Sequence, residues 1–363
     1  MKDRKTKIVH IVESFGGGVY SFLVDLINNT SDEFEITVLY GERPQTPKDF
    51  KKDFNDNVKF IKVENFTRSI NLKKDLKAIK EVKENIKEIN PNIIHLHSSK
   101  AGIIGRLAIN RKDVRMFYNP HGFSFLKKDD SKLKRIIYWW IEKVTAIINR
   151  KCTIVGCSQG EYEEAKKINK NSVCINNGID IEKMQEETKE LKEKDIDYNN
   201  IKICTVGRIG YQKNPRLFNE IANAFPNIQF TWIGDGEQKN LLTSKNITIT
   251  GWKDKREVMQ ILNDNDIFIL TSLWEGLPIS LLEAMYMKKI CIVTNVIGNR
   301  DVIENGVNGY IANNEKDFIE IIEKLLNNQD ILIDEIVNNS YECIKTIYNI
   351  SKMTEEYKSI YGV

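Results

Sequence analysis

Two glutamates in the segment TSLWEGLPISLLEAM (271–285) have the type and spacing of residues that bind sugars and anions. Glu275 follows an apolar run, and Pro278 has the preferred residue type for the first position of a helix. Glu283 then falls about one and a half turns into that helix. Carboxylates accept paired hydrogen bonds from vicinal hydroxyls, and amides at a helix start favour anions. The predicted ligand contacts here are Glu275, Gly276, Leu277, Pro278, Ile279 and Glu283.

A second segment, VGRIGYQKNP (206–215), places two cations five residues apart on a glycine-containing loop. Arg208 and Lys213 lead into a helix N-terminus, where backbone N–H groups favour negative charge. Two cations beside such an N-terminus suit a diphosphate. From this segment alone, a solvated loop is an equally good interpretation.

Glycines follow other apolar runs and allow a ligand to approach the backbone closely. Gly17 and Gly18 belong to a GGG run that precedes a helical pattern, and Gly234 opens the sequence GDGEQ. We predict that these loops contact a phosphate or sugar, with a plain tight turn as the alternative. Trp252 follows Gly251 and would line a pocket for a base, unless it belongs to the core.

The chain has four histidines, and only His121 lies in a glycine-flanked loop, NPHGFSF, after an apolar run. We predict a ligand contact for His121. His10, His95 and His97 fall within strand patterns and are interpreted as core or sheet-end residues. His95 and His97 share one face of a strand, but the sequence offers no cysteine or third ligand beside them, so no metal site is predicted.

The elements that position these residues are short apolar runs alternating with amphipathic helical patterns. Two such series flank a charge-rich segment at 179–200 that is interpreted as a linker. Strands buried on both faces and alternating with helices form parallel sheets. The sequence therefore predicts an α/β protein with two doubly wound domains. Ligands bind such sheets at the carboxyl ends of the strands, which is where the candidate residues fall.

Composition excludes several classes of protein. The chain has 363 residues, of which 41% are hydrophobic and 29% charged. These values exclude a disordered chain, a collagen and a coiled coil. No apolar run is long enough for a transmembrane helix, and the N-terminus lacks the apolar core of a signal peptide. Six cysteines without a CxxC pair indicate reduced core residues, and hence a cytoplasmic protein.

Charge is distributed unevenly along the chain. Residues 1–150 contain 29 Lys and Arg against 19 Asp and Glu, whereas residues 151–363 contain 25 against 32. A basic half suits nucleic acid, a membrane surface or phosphates, although solvated lysine-rich helices explain it equally well. Cations and aromatic residues interleave at 131–143, which favours a membrane interface, with a buried stripe as the alternative. The predicted membrane and acceptor patch comprises Lys132, Lys134, Arg135, Trp139 and Trp140.

As a set, these motifs resemble the retaining glycosyltransferases of family 4, which have the GT-B fold. The resemblance spans essentially the whole chain. It rests on the GGG loop, His121, Ser158, Asn177 to Asp180, Gly207-Arg208 with Lys213, Gly234 to Gly236, Gly251, the Glu275 and Glu283 pair, and the run NVIGNRDVI…NGVNGY at 295–310.

The resemblance implies roles for individual residues. Glu283 would hold the ribose of a nucleotide sugar, and Glu275 would face the donor sugar. Arg208 and Lys213 would bind the diphosphate, and His121 would contact the sugar near the reacting carbon. Transfer would proceed on the front face with retention, while the leaving phosphate helps to deprotonate the acceptor hydroxyl. No DxD-like cluster ends a strand, so we expect a metal-independent enzyme without cofactors.

The resemblance also implies an organisation: two Rossmann-like domains facing across a cleft. The expected parts are an acceptor-binding domain at 1–182, a linker at 183–200, a nucleotide-sugar domain at 201–345 and a helix at 346–363 that returns to the first domain.

One departure concerns the loop after Glu275, where the aromatic residue usual in the family is missing. This favours a subgroup that makes surface polysaccharides. The expected donor is a UDP-linked hexose or N-acetylhexosamine. The expected acceptor is a glycan or a polyprenyl-diphosphate-linked sugar, reached by peripheral association with the inner membrane face. A nucleotide-sugar 2-epimerase and a non-catalytic GT-B-like protein are the alternatives. No recognition motif supports nucleic-acid binding.

Overall fold

The structure is a computed structural model of the chain and describes residues 5–67, 70–109, 111, 113–192, 194, 196, 200–327 and 332–362. The chain forms two compact units. Unit 1 comprises Met1–Asn177 and Ile350–Val363, and unit 2 comprises Gly178–Asn349.

Unit 1 is built around a parallel sheet of seven strands, in the order β3-β2-β1-β4-β5-β6-β7. The apolar runs of the sequence form these strands because both faces are covered by helices. The central strand β4 is buried at every residue. The strands are β1 (Thr6–Val12), β2 (Phe34–Tyr40), β3 (Lys59–Lys62), β4 (Ile93–His97), β5 (Arg115–Asn119), β6 (Thr153–Gly156) and β7 (Ser172–Cys174).

Among the described residues, unit 1 has six α-helices, of which five lie between its strands and one comes from the end of the chain. They are α1 (Gly17–Asn28), α2 (Leu72–Ile89), α3 (Ser99–Ala108), α4 (Lys132–Ile148), α5 (Gln159–Ile168) and α13 (Ile350–Tyr361). Side-chain oxygens of Asn71, Ser98, Ser131 and Ser158 cap four of the helix starts. Helix α13 buries Tyr357 and Tyr361 in the core of this unit, where each side chain contributes about 1.5–3 kcal/mol.

Unit 2 has a parallel sheet of six strands, in the order β10-β9-β8-β11-β12-β13. The strands are β8 (Lys202–Val206), β9 (Gln229–Ile233), β10 (Ile247–Ile249), β11 (Ile267–Leu270), β12 (Ile290–Thr294) and β13 (Tyr310–Ala312). The helices are α6 (Ile181–Thr188), α7 (Pro215–Ala224), α8 (Lys255–Asn263), α9 (Ile279–Tyr286), α10 (Asn299–Val302), α11 (Glu315–Leu326) and α12 (Ile333–Thr346).

The strand order of each sheet determines where a ligand can bind. It reverses direction between β1 and β4 in unit 1, and between β8 and β11 in unit 2. At such a switch point the loops after the two strands diverge and leave a crevice at the carboxyl edge. The loops after β8 and β11 carry Arg208, Lys213 and Glu275, so the topology supports the choice of candidate residues. The predicted fold class, two doubly wound parallel sheets, is confirmed.

The boundaries differ from the predicted ones. Unit 1 ends at Asn177 rather than 182, and the final helix begins at Ile350 rather than 346. Part of the predicted linker is helix α6, because Asp180 caps it and Met184 is buried. Positions 193, 195 and 197–199 of that linker lie outside the described residues. In the part of the chain that the structure describes, no helix has the length and apolar character needed to cross a membrane.

Candidate active site

The loops after β8 and β11 bring two predicted site residues together. Lys213 Nζ lies 2.8 Å from Glu275 Oε1, and Gln212 Nε2 donates to Glu275 Oε2 at 3.3 Å. Glu275 is only 6% exposed, so burial without these partners would be costly. The pair therefore fixes the carboxylate and the ammonium at the switch point of unit 2.

Backbone contacts hold these two loops against each other. Leu273 N donates to Gln212 O at 2.8 Å, and Thr271 Oγ1 donates to Lys213 O at 2.7 Å. Gln212 Nε2 also reaches Trp274 O at 3.0 Å. Gln212 was not among the predicted site residues, because an amide inside a loop gives no signal until its partner is known.

Two glycines of unit 2 are required by close approach of the backbone. Gly207 and Gly234 have φ values of 146° and 142°, which side chains rarely tolerate. A Cβ on Gly234 would lie 2.2 Å from Gly207 O, and one on Gly207 would lie 3.0 Å from Lys213 Cε. The loops after β8 and β9 thus pack on each other, and the Lys213 side chain passes over Gly207.

Arg208 lies on the outer part of the same loop. Its guanidinium pairs with Glu237, with Nη2 2.9 Å from Oε2, and both side chains are substantially exposed. Exposed pairs of this kind are weak, so Arg208 can exchange Glu237 for an anionic ligand at little cost. Glu237 was not among the predicted site residues.

Glu283 lies in the helix α9, as predicted, and is 7% exposed. One carboxylate oxygen, Oε1, pairs with Lys255 at the start of α8. Lys255 was not predicted as a site residue either, since a lysine in the first turn of a charged helix is ordinarily solvated. The ion pair orients Glu283 and leaves Oε2 as a second acceptor.

Gly276, in the loop after β11, lies close to the loop that carries Gly298. A Cβ on Gly298, whose φ is 84°, would lie 2.3 Å from Gly276 O. Pro278 then occupies the N-cap of α9 and Ile279 begins it. The predicted run from Gly276 to Ile279 is therefore held at the start of a helix, as the sequence pattern indicated.

Trp252 is 59% exposed, so the alternative interpretation of a core tryptophan is wrong. It follows Gly251, which forms an isolated bridge with Gly234 and has a φ of 73°. An indole held beside the loop after β9 offers a flat apolar surface on which an aromatic ring can stack.

In unit 1, the glycine run lies at the junction between β1 and the start of α1. Gly16 is the N-cap, α1 begins at Gly17, and no side chain caps this helix start. Gly17 has a φ of 60°, and the positions of a Cβ on Gly17 and Gly18 are open space. A ligand can therefore approach the N-terminus of α1 at Gly17 and Gly18. A plain tight turn, the alternative interpretation, would not require this open space.

His121 follows β5 with a φ of 51° and is partly buried. Its Nε2 lies 3.1 Å from His97 Nδ1, and its ring packs edge-on against Phe22 at 4.7 Å between centroids. Burial, followed by the electrostatic effect of His95, lowers the pKa of His121 to about 3. The imidazole is therefore neutral at physiological pH.

The other three histidines lie close to His121 in the sheet of unit 1. His10, His95 and His97 are all fully buried, so their interpretation as core residues is correct. The statement that no third ligand accompanies His95 and His97 is wrong, because ring nitrogens of all three lie within 4.8 Å of one another. However, both nitrogens of His95 already bond Tyr361 Oη and Asn119 Oδ1, each at 2.6 Å. Both ring nitrogens of His95 are thus committed to hydrogen bonds within the protein.

Helix α4 differs in detail from the predicted membrane patch. Lys134 pairs with Asp130, and Arg135 Nε donates to Phe125 O at 2.8 Å. Trp139 packs against the core, whereas Trp140 is 57% exposed. Lys132 begins the helix and is exposed. The two tryptophans therefore do not share one exposed face.

The exposed face of α4 is instead apolar along its whole length. Seven large side chains follow helical spacing and are 48–69% exposed: Leu133, Ile136, Ile137, Trp140, Val144, Ile147 and Ile148. Beside it, a cavity of about 880 Å³ opens between α2, α3 and α4, with Leu76, Ile103 and Leu107 in its apolar wall. Contiguous apolar surface of this kind marks an interaction site.

Comparison with known families agrees with the division of the chain. The family described as "Glycosyltransferase Family 4" matches residues 16–183, and the family described as "Glycosyl transferases group 1" matches residues 186–342.

The curated relatives include proteins whose names describe an activity or a pathway. An Escherichia coli UDP-Gal:alpha-D-GlcNAc-diphosphoundecaprenol alpha-1,3-galactosyltransferase is 31% identical over 335 residues, covering 85% of this chain and 84% of its own. The Staphylococcus aureus capsular polysaccharide biosynthesis glycosyltransferase CapM is 25% identical, covering 81% and 84%. A Campylobacter jejuni N,N'-diacetylbacillosaminyl-diphospho-undecaprenol alpha-1,3-N-acetylgalactosaminyltransferase is 23% identical, covering 95% and 96%.

Solved structures share the fold at lower sequence identity. Sucrose-phosphate synthase from Thermosynechococcus elongatus superposes with a TM-score of 0.79 at 13% identity, over 98% of both chains. Anabaena HepE in complex with UDP and glucose gives 0.75 at 16%, over 98% of this chain and 99% of its own. The GT-B assignment is confirmed. The predicted resemblance is confirmed as well, and the chain belongs to family 4 of the glycosyltransferases.

Proposed function

We propose that the protein transfers a hexose or N-acetylhexosamine from a UDP-linked donor to a polyprenyl-diphosphate-linked acceptor during bacterial surface-polysaccharide synthesis. The observation that carries this proposal is the Lys213–Glu275 pair at the switch point of unit 2, where open parallel sheets bind nucleotides, with Glu283 in helix α9 directly after the same loop. The names of the relatives support the choice of sugar, nucleotide and acceptor.

Different residues of unit 2 bind different parts of the donor. Arg208 and Lys213 bind the diphosphate, and the N-terminus of α9 adds a favourable dipole. Glu283 Oε2 accepts hydrogen bonds from the ribose hydroxyls, while Lys255 holds the other oxygen. Trp252 stacks against the base, and the loop after β9 at Gly234 approaches the nucleotide by its backbone.

The proposed reaction retains the configuration of the sugar and needs no divalent metal. The bond between the anomeric carbon and the diphosphate breaks, and the acceptor oxygen attacks from the same face. Its proton passes to an oxygen of the departing diphosphate. Charge that grows on this leaving group is stabilised by Arg208 and Lys213, which supply the positive charge that a metal ion supplies elsewhere. Glu275 faces the donor sugar, and His121 contacts it near the reacting carbon.

The acceptor and the membrane are assigned to unit 1. Its sequence carries the basic excess, and helix α4 presents an apolar face beside an apolar cavity. Such a face with cations at its edge suits the interface of an anionic membrane. We infer peripheral association with the inner face of the cell membrane, which brings the enzyme to lipid-linked acceptors.

The test is a transfer assay with the purified chain, a panel of UDP-hexoses and UDP-N-acetylhexosamines, and N-acetylglucosaminyl-diphosphoundecaprenol in detergent. We expect one donor to give a lengthened acceptor by mass spectrometry, an α linkage from an α-linked donor by NMR, and no loss with EDTA. An isomerised nucleotide sugar formed without acceptor would indicate the epimerase. Binding without turnover across the whole panel would indicate a non-catalytic protein.

A further inference from the structure

All four histidines of the chain lie in one cluster of unit 1. His10 Nδ1 lies 3.0 Å from His97 Nε2, and His97 Nδ1 lies 3.1 Å from His121 Nε2. The rings stack, with centroids 5.3 Å apart for the first pair and 5.4 Å for the second. The three rings therefore form a hydrogen-bonded row that runs from the buried centre of the sheet to His121.

His95 lies beside this row but is not a link in it. Its centroid is 4.1 Å from that of His97, yet its nitrogens bond Tyr361 Oη and Asn119 Oδ1. The row has only neutral members, because burial lowers the pKa of His10 and His97 and lowers that of His121 to about 3. Each ring then carries a single N–H.

With one N–H on each ring, the hydrogen bonds of the row can be arranged in only two ways. His97 is the middle ring and has one N–H, so it donates at one nitrogen and accepts at the other. Both hydrogen bonds must then run in the same direction. Either every N–H is on Nδ1 and the row donates toward His121, or every N–H is on Nε2 and the row donates toward His10.

The buried end of the row decides between them. His10 is fully buried, and its Nε2 has no hydrogen-bond partner among the described residues. If the row donated toward His10, a buried N–H would be left without an acceptor, a situation that native proteins rarely tolerate. If the row donates toward His121, only the lone pair on His10 Nε2 is left without a partner. The row therefore favours Nδ1–H on all three rings.

We propose that His97, backed by His10, is a positioning residue that holds His121 as the Nδ1–H tautomer, so that His121 donates a hydrogen bond to an oxygen of the donor sugar. The identity of that ligand rests on the proposed function. Free histidine prefers the Nε2–H tautomer, so the row imposes the less common form. His121 is then a hydrogen-bond donor and not a general base, since its Nε2 lone pair is already occupied by His97.

The tautomers are measured directly by two-bond ¹H–¹⁵N correlation NMR of the protein labelled with ¹⁵N-histidine. We expect the Nδ1–H pattern for His10, His97 and His121 at pH 7. The Nε2–H pattern for His121 in the wild-type protein would overturn the proposal without any variant.

Two substitutions test the role of His97. H97L removes the donor, and His121 should revert to Nε2–H. H97N places an amide N–H close to the former Nδ1 position, and it should restore Nδ1–H on His121. Tyr361→Phe removes a partner of His95 from the same cluster and should leave the tautomer of His121 unchanged. An unchanged His121 pattern in H97L would contradict the proposal.

Kinetics then separate this role from a structural one. H97L should lower kcat/KM for the nucleotide sugar about tenfold, the factor that one neutral hydrogen bond supplies, and H97N should recover most of it. Affinity for UDP, which lacks the sugar, should not change in either variant, and recovery in H97N but not in H97L separates the tautomer role from a structural defect. If the wild-type protein transfers no sugar, the proposed function fails, while the NMR result still decides the tautomer.

Discussion

Lys213 and Glu275 neutralise each other at the place where a diphosphate is expected to bind. Their side chains are 17% and 8% exposed, so removing either one leaves a largely buried charge without its partner. Such a loss typically costs about 3–5 kcal/mol in fully buried pairs. A change at Lys213 therefore mixes folding with catalysis, and Arg208 is the better residue for a test of leaving-group stabilisation.

Arg208→Ala should lower kcat by about 10²–10³-fold, because it removes a cation that stabilises charge growing on the diphosphate. Stability should change by less than about 1 kcal/mol, since the Arg208–Glu237 pair is exposed. Steady-state kinetics and urea unfolding of the same preparation measure both quantities. Glu237→Ala is the matched control: it removes the pair but keeps the cation, and turnover should persist. Near wild-type turnover in Arg208→Ala would remove Arg208 from the leaving-group site.

Glu283→Gln should weaken UDP binding, measured by calorimetry. The carboxylate is placed to accept two ribose hydroxyls, and charged hydrogen bonds contribute about 1.5–3 kcal/mol. Lys255→Met removes the ion-pair partner while leaving the carboxylate, so its affinity for UDP should fall less. Equal affinity of the wild-type protein and Glu283→Gln would mean that Glu283 serves the structure of the α8–α9 contact and not the nucleotide.

At the scale of elements, helix α4 shows what a sequence pattern leaves undecided. Its apolar spacing predicted a helix, and the helix formed at Lys132–Ile148. The pattern did not reveal which face would be buried, because α4 has apolar residues on most of its circumference. The core takes Tyr138 and Trp139, and the remaining stripe from Leu133 to Ile148 is left exposed. Burial depends on neighbouring helices that a local pattern does not contain.

The strands were more predictable than the partners of the site residues. Runs such as NIIHLH and DIFILTS place apolar residues at consecutive positions, which is typical of strands covered on both faces. Glu275 and Glu283 were found because proline and glycine mark where a strand ends and a helix begins. Gln212 and Lys255 were not found, since they reach the site across gaps of 63 and 28 residues that only the fold closes.

The exposed face of α4 leads to a prediction about membranes. The purified protein should sediment with vesicles containing phosphatidylglycerol at low salt, and less at high salt, because each nearby cation contributes about 1 kcal/mol. The triple variant Ile137→Gln, Trp140→Gln, Val144→Gln should lose this binding yet fold normally, since these side chains are exposed. As a control, Val307→Gln with Leu332→Gln changes exposed apolar residues of unit 2 and should still sediment. Equal sedimentation of the triple variant and the wild-type protein would exclude α4 as the docking face.

At the scale of the whole molecule, the chain crosses between two units of similar design but different chemistry. Unit 2 contributes the charged residues assigned to the nucleotide, and unit 1 contributes the histidines and the apolar surface. The final helix α13 brings residues from the far end of the sequence to the histidine cluster of unit 1. Tyr361 Oη bonds His95, and Tyr357 Oη accepts from Asn119 Nδ2 at 2.8 Å. Unit 1 is therefore completed only when residues 350–361 have joined it.

This cluster makes the stability of the protein depend on pH. Burial lowers the pKa of His10 and His97 below the ordinary 6.5, and lowers that of His95 to about 3. The unfolded chain therefore binds more protons than the folded one as pH falls below 6.5. Stability is present above that pH and is lost progressively toward pH 3, by about 1.4 kcal/mol per pH unit for each histidine that stays neutral.

Urea unfolding at pH 7.5 and pH 5.5 measures this loss in a range where carboxylates contribute little. We expect a marked decrease in the free energy of unfolding between the two values, with α13 released from unit 1 as its tyrosines lose their partners. His95→Gln keeps an amide donor for Asn119 Oδ1 and removes one titrating group, so the decrease should shrink by about 1.4 kcal/mol. Lys358 lies on the same helix α13 and pairs with Glu33 at the surface. Lys358→Ala breaks this pair and should leave the pH dependence unchanged. A wild-type protein equally stable at both values would mean that the histidines protonate without unfolding, and that the cluster is far more accessible than its burial indicates.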